Sequence, residues 1–195
     1  MSAGAERARR LGLPITLGSV FAFLLGGLAL GSGEALLHSA NSNEFCYGCH
    51  SIEMNTRGEY EASSHFHNPS GVRASCADCH LPQDGALALA WAKAKAALDV
   101  IPEFTGKLST PAKYEAHRGE MAQAVWEEMR DNDSAFCQSC HGFAAMNLAA
   151  QERRPARHHA RARESGQTCI QCHYGLVHKL PENADEMVER IFATN

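Results

Sequence analysis

Eight cysteines and eleven histidines stand in this chain, and every cysteine falls into one pattern, Cys-x-x-Cys-His. The copies are Cys46/Cys49/His50, Cys76/Cys79/His80, Cys137/Cys140/His141 and Cys169/Cys172/His173. Two thiols at this spacing bond to the two vinyl groups of one porphyrin while the adjacent histidine turns its imidazole onto the iron. A redox-active Cys-x-x-Cys needs no histidine after it, and a zinc site made of such pairs would not require one after every pair. Four copies with no remainder therefore read as four covalently bound haem c groups, held by the eight cysteines, with His50, His80, His141 and His173 as proximal ligands.

A haem that only carries electrons takes a second strong axial ligand, whereas one that meets a substrate keeps a weak or open position. His65, His159 and His178 are the candidates for that second place. His65 lies 11 residues before Cys76, His159 lies 10 before Cys169, and His178 comes five after His173. His38, His67 and His158 read as ordinary surface or hydrogen-bonded histidines. For His117, on an apolar helical face, both readings stay open.

These residues need elements to position them. From Leu11 to Gly33 runs a stretch of 23 residues without a charge, preceded by Arg7, Arg9 and Arg10. At about 1.5 Å per residue it spans a hydrocarbon core of roughly 30 Å, and the arginines leave the N-terminus in the cytoplasm. The rival reading is a cleaved signal peptide, against which stand the length of the run and the poor cleavage site at Gly31-Ser32-Gly33. The chain beyond the anchor is then periplasmic, in the compartment where bacteria attach haem c.

Past the anchor the chain repeats. Cys46 and Cys76 are 30 residues apart, Cys137 and Cys169 are 32, and the corresponding motifs are separated by 91 and 93. A two-haem unit looks duplicated, with His65 and His159 at equivalent positions. The expected division is a cytoplasmic N-terminus 1–10, a transmembrane anchor 11–37, a first di-haem unit 38–108 and a second 109–195.

Helical spacing of Leu87, Trp91, Leu98 and Ile101 predicts a helix over 86–101, in the core or on a membrane surface. Thr110-Pro111, a cap followed by proline at the first position, predicts another to about Arg130 with Tyr114, His117, Met121 and Val125 on its apolar side. A short helix is expected over 181–192. No alternating strand pattern stands out, so the class is mainly α, a multihaem cytochrome with long haem-wrapping loops. Only 7% of the 195 residues are aromatic, and the haems must supply much of the buried apolar surface. The formal charge of −4, made more negative by haem propionates, excludes nucleic acid as an implied partner.

The anchor, the four motifs, the segment Ser-Gly-Val-Arg-Ala-Ser-Cys-Ala-Asp-Cys-His (70–80), Phe-Cys-Gln-Ser-Cys-His (136–141) and Gly-Gln-Thr-Cys-Ile-Gln-Cys-His (166–173) closely resemble the NapC/NirT/NrfH family of membrane-anchored tetrahaem quinol dehydrogenases, most of all its NapC/NirT branch. The resemblance implies oxidation of quinol from the membrane pool at the bilayer's outer face and delivery of electrons to a periplasmic reductase, with nitrate reductase the leading acceptor. It also implies a pairing in which His65 serves the haem of Cys169 and Cys172, His178 that of Cys137 and Cys140, and His159 that of Cys76 and Cys79. The first haem then lies on the quinol side with an open or weak distal position facing Asp99. Relatives with a Cys-x-x-Cys-His-x-Met first motif use that methionine as a ligand. Here Ile52 occupies its place, leaving Met54 or His50 as alternatives.

Lys95 and Asp99, four apart in the expected helix, share a face, with Lys93 nearby. Taken alone such a pair is a surface ion pair worth under about 1 kcal/mol. The family's acidic residue at this distance from the second motif gives Asp99 the role of proton acceptor and Lys95 or Lys93 that of hydrogen-bond donor to quinone. Arg153, Arg154, Arg157, Arg161 and Arg163 form a basic run, read as a solvated face or as a site for propionates or an acidic partner. Two other functions compete: a terminal reductase of nitrite or hydroxylamine, against which all four histidine-ended motifs and the anchor argue, and a passive periplasmic electron carrier.

Overall fold

The computed structural model describes residues 16–83 and 85–193 and is helical throughout, with no strand among them. It divides into two compact units, Met1–Ala40 and Asn41–Asn195. Helix α1 (Leu17–Ser39) is the first. Its cap is Thr16, whose side chain accepts a hydrogen bond from the Ser19 amide, and its 23 residues rise about 35 Å. No residue of α1 is buried by protein, and it is the one described helix long and apolar enough to cross a membrane. The helix sits further along the chain than the uncharged run, because Glu34 and His38 continue it among good helix formers. Arg7, Arg9, Arg10 and the start of that run lie outside the described residues.

The second unit is a set of short helices, namely α2 (Asn43–Tyr47), α3 (His50–Asn55), α4 (Arg57–Glu61), α5 (Cys76–His80), α6 (Ala86–Ala96), α7 (Val100–Phe104), the long α8 (Pro111–Asp131), α9 (Ala135–Gln138), α10 (Arg153–Ser165) and α11 (Ala184–Phe192). The motifs keep the helices short, since each stretch of chain must stop and turn to present two sulfurs and one imidazole. Ser75 starts α5 with a full capping box against Asp78, which fixes Cys76 at its first turn. Ser42 caps α2 just ahead of Cys46.

Two expectations about helices need correction. The helix over 86–101 is two helices, because Pro102 has no amide hydrogen and its ring excludes the carbonyl of Leu98 from a regular ladder. Leu98, Asp99 and Ile101 instead bond three residues back. Asp99 is therefore the residue preceding α7, not a partner of Lys95 one turn along a shared helix. The buried stripe of α8 is Tyr114, Arg118, Trp126 and Met129, with Arg118 taking the inward place expected of His117. A guanidinium goes inside only when paired, and this one is.

The packed core is small. Trp126 and Met129 from α8, Ile170 from the turn Cys169–Gln171, and Ala184, Met187, Val188 and Ile191 from α11 make it up. Ser134, fully buried with φ 54°, joins this core to two motifs: its hydroxyl accepts the Ile170 amide at 3.1 Å and the chain then enters α9 at the third motif. Around the first two motifs the buried apolar residues are Tyr60 and Ala77.

Candidate functional site

All eight cysteines are unbridged. The thiols of neighbouring motifs lie close together: Cys46 is held below the usual thiol range, first by a hydrogen bond shared with Cys76, which outweighs burial, and also by the charge of Lys93. Burial pushes Cys137 up to about 11, with Cys169 beside it. The motifs thus adjoin in the order first to second and third to fourth, and α5 packs on α9, which joins the second to the third.

Three imidazole pairs face one another. The ring centroids of His80 and His178 are 6.3 Å apart, those of His65 and His141 6.2 Å, and those of His159 and His173 6.1 Å. An iron between two imidazole nitrogens at about 2 Å each, with about 1.1 Å from nitrogen to ring centre, requires centroids about 6.2 Å apart. No group of three or more histidine, cysteine or carboxylate side chains gathers into a bare-ion site among the described residues. Two opposed imidazoles are what a haem iron, whose other four ligands come from its own macrocycle, would need from the chain. The residues fit haem c.

This pairing replaces the one implied by resemblance in all three cases. His65 faces His141 and not His173; His178 faces His80 and not His141; His159 faces His173 and not His80. The local chain explains each change. His159 sits on α10, whose cap Gly166 at φ 69° turns the chain directly back to Thr168 and Cys169, so the nearest motif is its own successor. The His65 carbonyl, just after α4, accepts the Ala74 amide shortly before α5, where packing of α5 on α9 brings the third motif near. His178 is delivered by an ionic knot: Arg118 donates to both Glu59 and Glu115 at 2.7 Å and to the Lys179 carbonyl at 3.1 Å, while Glu59 accepts the Lys179 amide. The equivalence of His65 and His159 therefore does not extend to their partners.

The second nitrogens differ in surroundings. His159 Nδ1 is 2.7 Å from Gln151 Oε1, an arrangement in which Nδ1 donates and Nε2 keeps the metal-binding lone pair. His178 Nδ1 is 3.4 Å from Glu59 Oε2, and His65 Nδ1 is buried without a hydrogen-bond partner. His80 is exposed by surface area yet enclosed by chain at longer range, and that enclosure holds its imidazole down to about 4. Burial also lowers His173 and His178. These rings are neutral at physiological pH, the form that binds a metal.

At the first motif no imidazole ring stands opposite His50 among the described residues. Met54 lies one turn after it on α3, 40% exposed. Lys93 Nζ is 6.0 Å from the Phe45 ring, next to Cys46. Lys95 and Asp99 are exposed, and the Asp99 carboxylate has no hydrogen bond or ion pair among the described residues. Sequence reasoning missed Glu103, whose Oε1 accepts the Ser51 amide at 3.0 Å beside His50. Burial pushes its carboxyl up, but the bonds from the Ser51 and His50 backbone outweigh this and keep it below the usual range. Its place four residues after Asp99 was the available signal. His117 bonds its Nδ1 to the Lys113 carbonyl at 2.8 Å and faces no other imidazole.

The model of the NapC/NirT cytochrome c family matches residues 11–183. The chain belongs to this family. It is 46% identical over 168 residues to the cytochrome c-type protein TorY of Haemophilus influenzae, covering 84% of this chain and 45% of that one. It is 42% identical over 159 residues to NapC of Escherichia coli K12, covering 81% and 79%. To a putative tetraheme cytochrome of Allochromatium vinosum it is 39% identical over 183 residues, covering 93% and 96%. The chain spans about half the length of the two TorY proteins it matches. No solved structure matches it significantly. As a member of the family it is a tetrahaem c-type cytochrome of the inner membrane, with α1 as the span and the haem-binding unit in the periplasm.

The ring pairs give a direct test. His65→Ala, His159→Ala and His178→Ala should each turn one low-spin haem high-spin, because the thioethers retain the porphyrin when the strong-field ligand is gone. Combining His178→Ala with His80→Ala should affect the same single haem, so the double variant changes the spin state of no haem beyond the one that His178→Ala alters. A second altered haem in that variant would refute the His80–His178 pair.

Proposed function

We propose that this chain oxidises membrane quinol and delivers the electrons one at a time to a periplasmic reductase. The observation that supports the reading is the exposed apolar surface of α6 and α7, whose Lys93 lies by Phe45 and whose Glu103 bonds the Ser51 amide at the first motif, with the exposed Asp99 between the two helices. In α6 and α7 no residue is buried, and Leu87, Trp91, Leu98, Ile101 and Phe104 are all exposed, between 55% and 88%. Such a surface suits the bilayer interface, where a quinol head group is found.

Cys46, Cys49 and His50, with Met54 as alternative ligand, would hold the first haem. His80 with His178, His141 with His65, and His173 with His159 would hold the others. When bound, haem c supplies a one-electron ferric/ferrous couple. The chain's part is proton handling and orientation: Asp99 accepts a proton from a quinol hydroxyl, Lys93 or Lys95 donates a hydrogen bond to the second oxygen, and the apolar side chains exclude water. Glu103, ionised beside His50, favours positive charge at that end of the site.

The test is reduction of the holoprotein by a quinol analogue in proteoliposomes. Quinol should reduce all four haems. Asp99→Asn should leave the haem spectra and reduction by dithionite intact while slowing reduction by quinol about tenfold or more, a conservative share of the roughly 10²–10⁴-fold that a general acid–base group contributes. Haems that quinol never reduces would identify a passive carrier instead. Nitrate reductase is the acceptor we favour, supported by the 42% likeness to NapC. Added to the vesicles with nitrate, its catalytic subunit should give quinol-dependent nitrite, and failure to do so would direct the electrons to another reductase.

A further inference from the structure

Helix α10 carries Arg153, Arg154, Arg157 and Arg161, all exposed, and none forms an ion pair or hydrogen bond through its side chain among the described residues. At 100° per residue they fall within an arc of about 100° on one face, with Glu164 the single carboxylate there. His159 lies roughly opposite that arc, where its Nδ1 meets Gln151 just after the turn Leu148–Ala150. Arg163, about 40° from His159, is the arginine placed to meet a propionate of the haem that His159 serves. The four-arginine face therefore points away from that haem, so its propionates do not account for the face.

The face has a structural cost. Arg153, Arg157 and Arg161 succeed one another at i, i+4 spacing, an arrangement of like charges that weakens a helix. On a chain whose formal charge is −4, so concentrated a positive face orients the molecule toward a negative one. We infer that the arginine face of α10 is the docking surface for the acidic face of a periplasmic electron-accepting protein. A protein seated there comes within about one helix diameter, roughly 10 Å, of the His159–His173 pair. An anionic lipid headgroup on the same arginines gains nothing from that proximity. The inference rests on the electron-transfer reading above and gives that reading an exit.

The experiment uses the full haem-loaded chain in detergent, reduced with dithionite so that quinol plays no part. It is mixed by stopped flow with an acidic cupredoxin or with a basic single-haem cytochrome c. At low salt the acidic probe should be reduced at least about tenfold faster, with a rate that falls steeply as salt is raised. Replacing the four arginines by glutamate should slow the acidic probe about tenfold or more and speed the basic one, with the four haem potentials unchanged. A set of Arg→Gln replacements, gentler on the helix, should give the same direction with a smaller change. Unaltered probe selectivity in both variants overturns the proposal. So does a lost affinity for phosphatidylglycerol vesicles with acceptor rates intact, which would assign the face to lipid, or a shifted haem potential with salt dependence intact, which would assign it to propionates. Reduction of neither probe by the wild type would instead defeat the electron-transfer reading itself.

Discussion

A chain with all eight cysteines replaced by alanine is expected to remain largely unfolded from residue 41 onward, whatever its level of synthesis. Ten apolar residues are buried in the described structure, and seven of them belong to the one cluster between α8, α11 and the Cys169–Gln171 turn. That is too little to offset the conformational entropy of some 150 residues, about 1–2 kcal/mol each for the backbone alone. The haems would bring rigid apolar surface and iron–imidazole bonds to the regions where protein supplies neither, so binding and folding are coupled. Far-ultraviolet circular dichroism and limited proteolysis check this on the exported chain. The expected result is low helicity outside α1 and rapid cleavage after α1. A protease-resistant apoprotein with cooperative unfolding would show that α8 and α11 fold the unit unaided.

Arg118→Ala should cost about 3–5 kcal/mol of stability, the penalty for breaking a buried ionic network by removing one member. Arg118 has 7% of its side chain exposed and Glu59 20%, and both carboxylates it grips lie at 2.7 Å. Without it Glu59 is left among the Lys179 amide and His178, and the segment that delivers His178 loses its tie to the Lys179 carbonyl. The variant should therefore lose thermal stability and also show partial high-spin character at one haem. Arg118→Lys, with the charge but without the two-pronged grip, should fall between. The same network sets an acid limit. The hydrogen bond from Arg118, opposed by slight burial and joined by Lys179, holds Glu115 down to about 2. A depressed carboxyl contributes stability that is complete above its unfolded value, about 4.3, and is lost as pH falls toward 2. Stability of the wild type should drop through that window, and the drop should be shallower in Arg118→Ala. An equal slope in the two proteins would remove Glu115 from the acid response.

The covalent part of the site was legible because its chemistry is local. Two sulfurs and an imidazole for one porphyrin lie within five residues, so Cys46 to His50 and its three counterparts needed no tertiary information. The anchor and the start of α8 at Thr110-Pro111 were local signals of the same kind. Ligand pairing was not legible. Which imidazole meets His80 depends on Arg118 drawing the Lys179 segment onto Glu59, an ionic contact spanning 59 to 61 residues in sequence. Repeat spacing ranked His65 and His159 as equivalents, yet α5 on α9 and the turn at Gly166 send them to dissimilar partners. Pro102 was visible, and its consequence for Asp99 could have been drawn from its ring alone. Arg118 was missed because a charged residue bound for the interior has no signature until its partner is in place, and Glu103 because its spacing from Asp99 alone does not point to the Ser51 amide.

Two of the three imidazole pairs join residues from opposite halves of the chain, and this imposes a timetable on maturation. A chain exported from the anchor onward presents Cys76, Cys79 and His80 on the far side of the membrane while His178, 98 positions behind, is still to emerge. A haem held there would lack its second imidazole until residue 178 has arrived. His65 would wait in the opposite sense, an early imidazole for the later motif of His141. The His159–His173 pair, drawn from neighbouring residues, closes as soon as it appears. A chain cut short before His178 would leave the haem held at His80 without that partner, so a late segment completes work begun near the anchor.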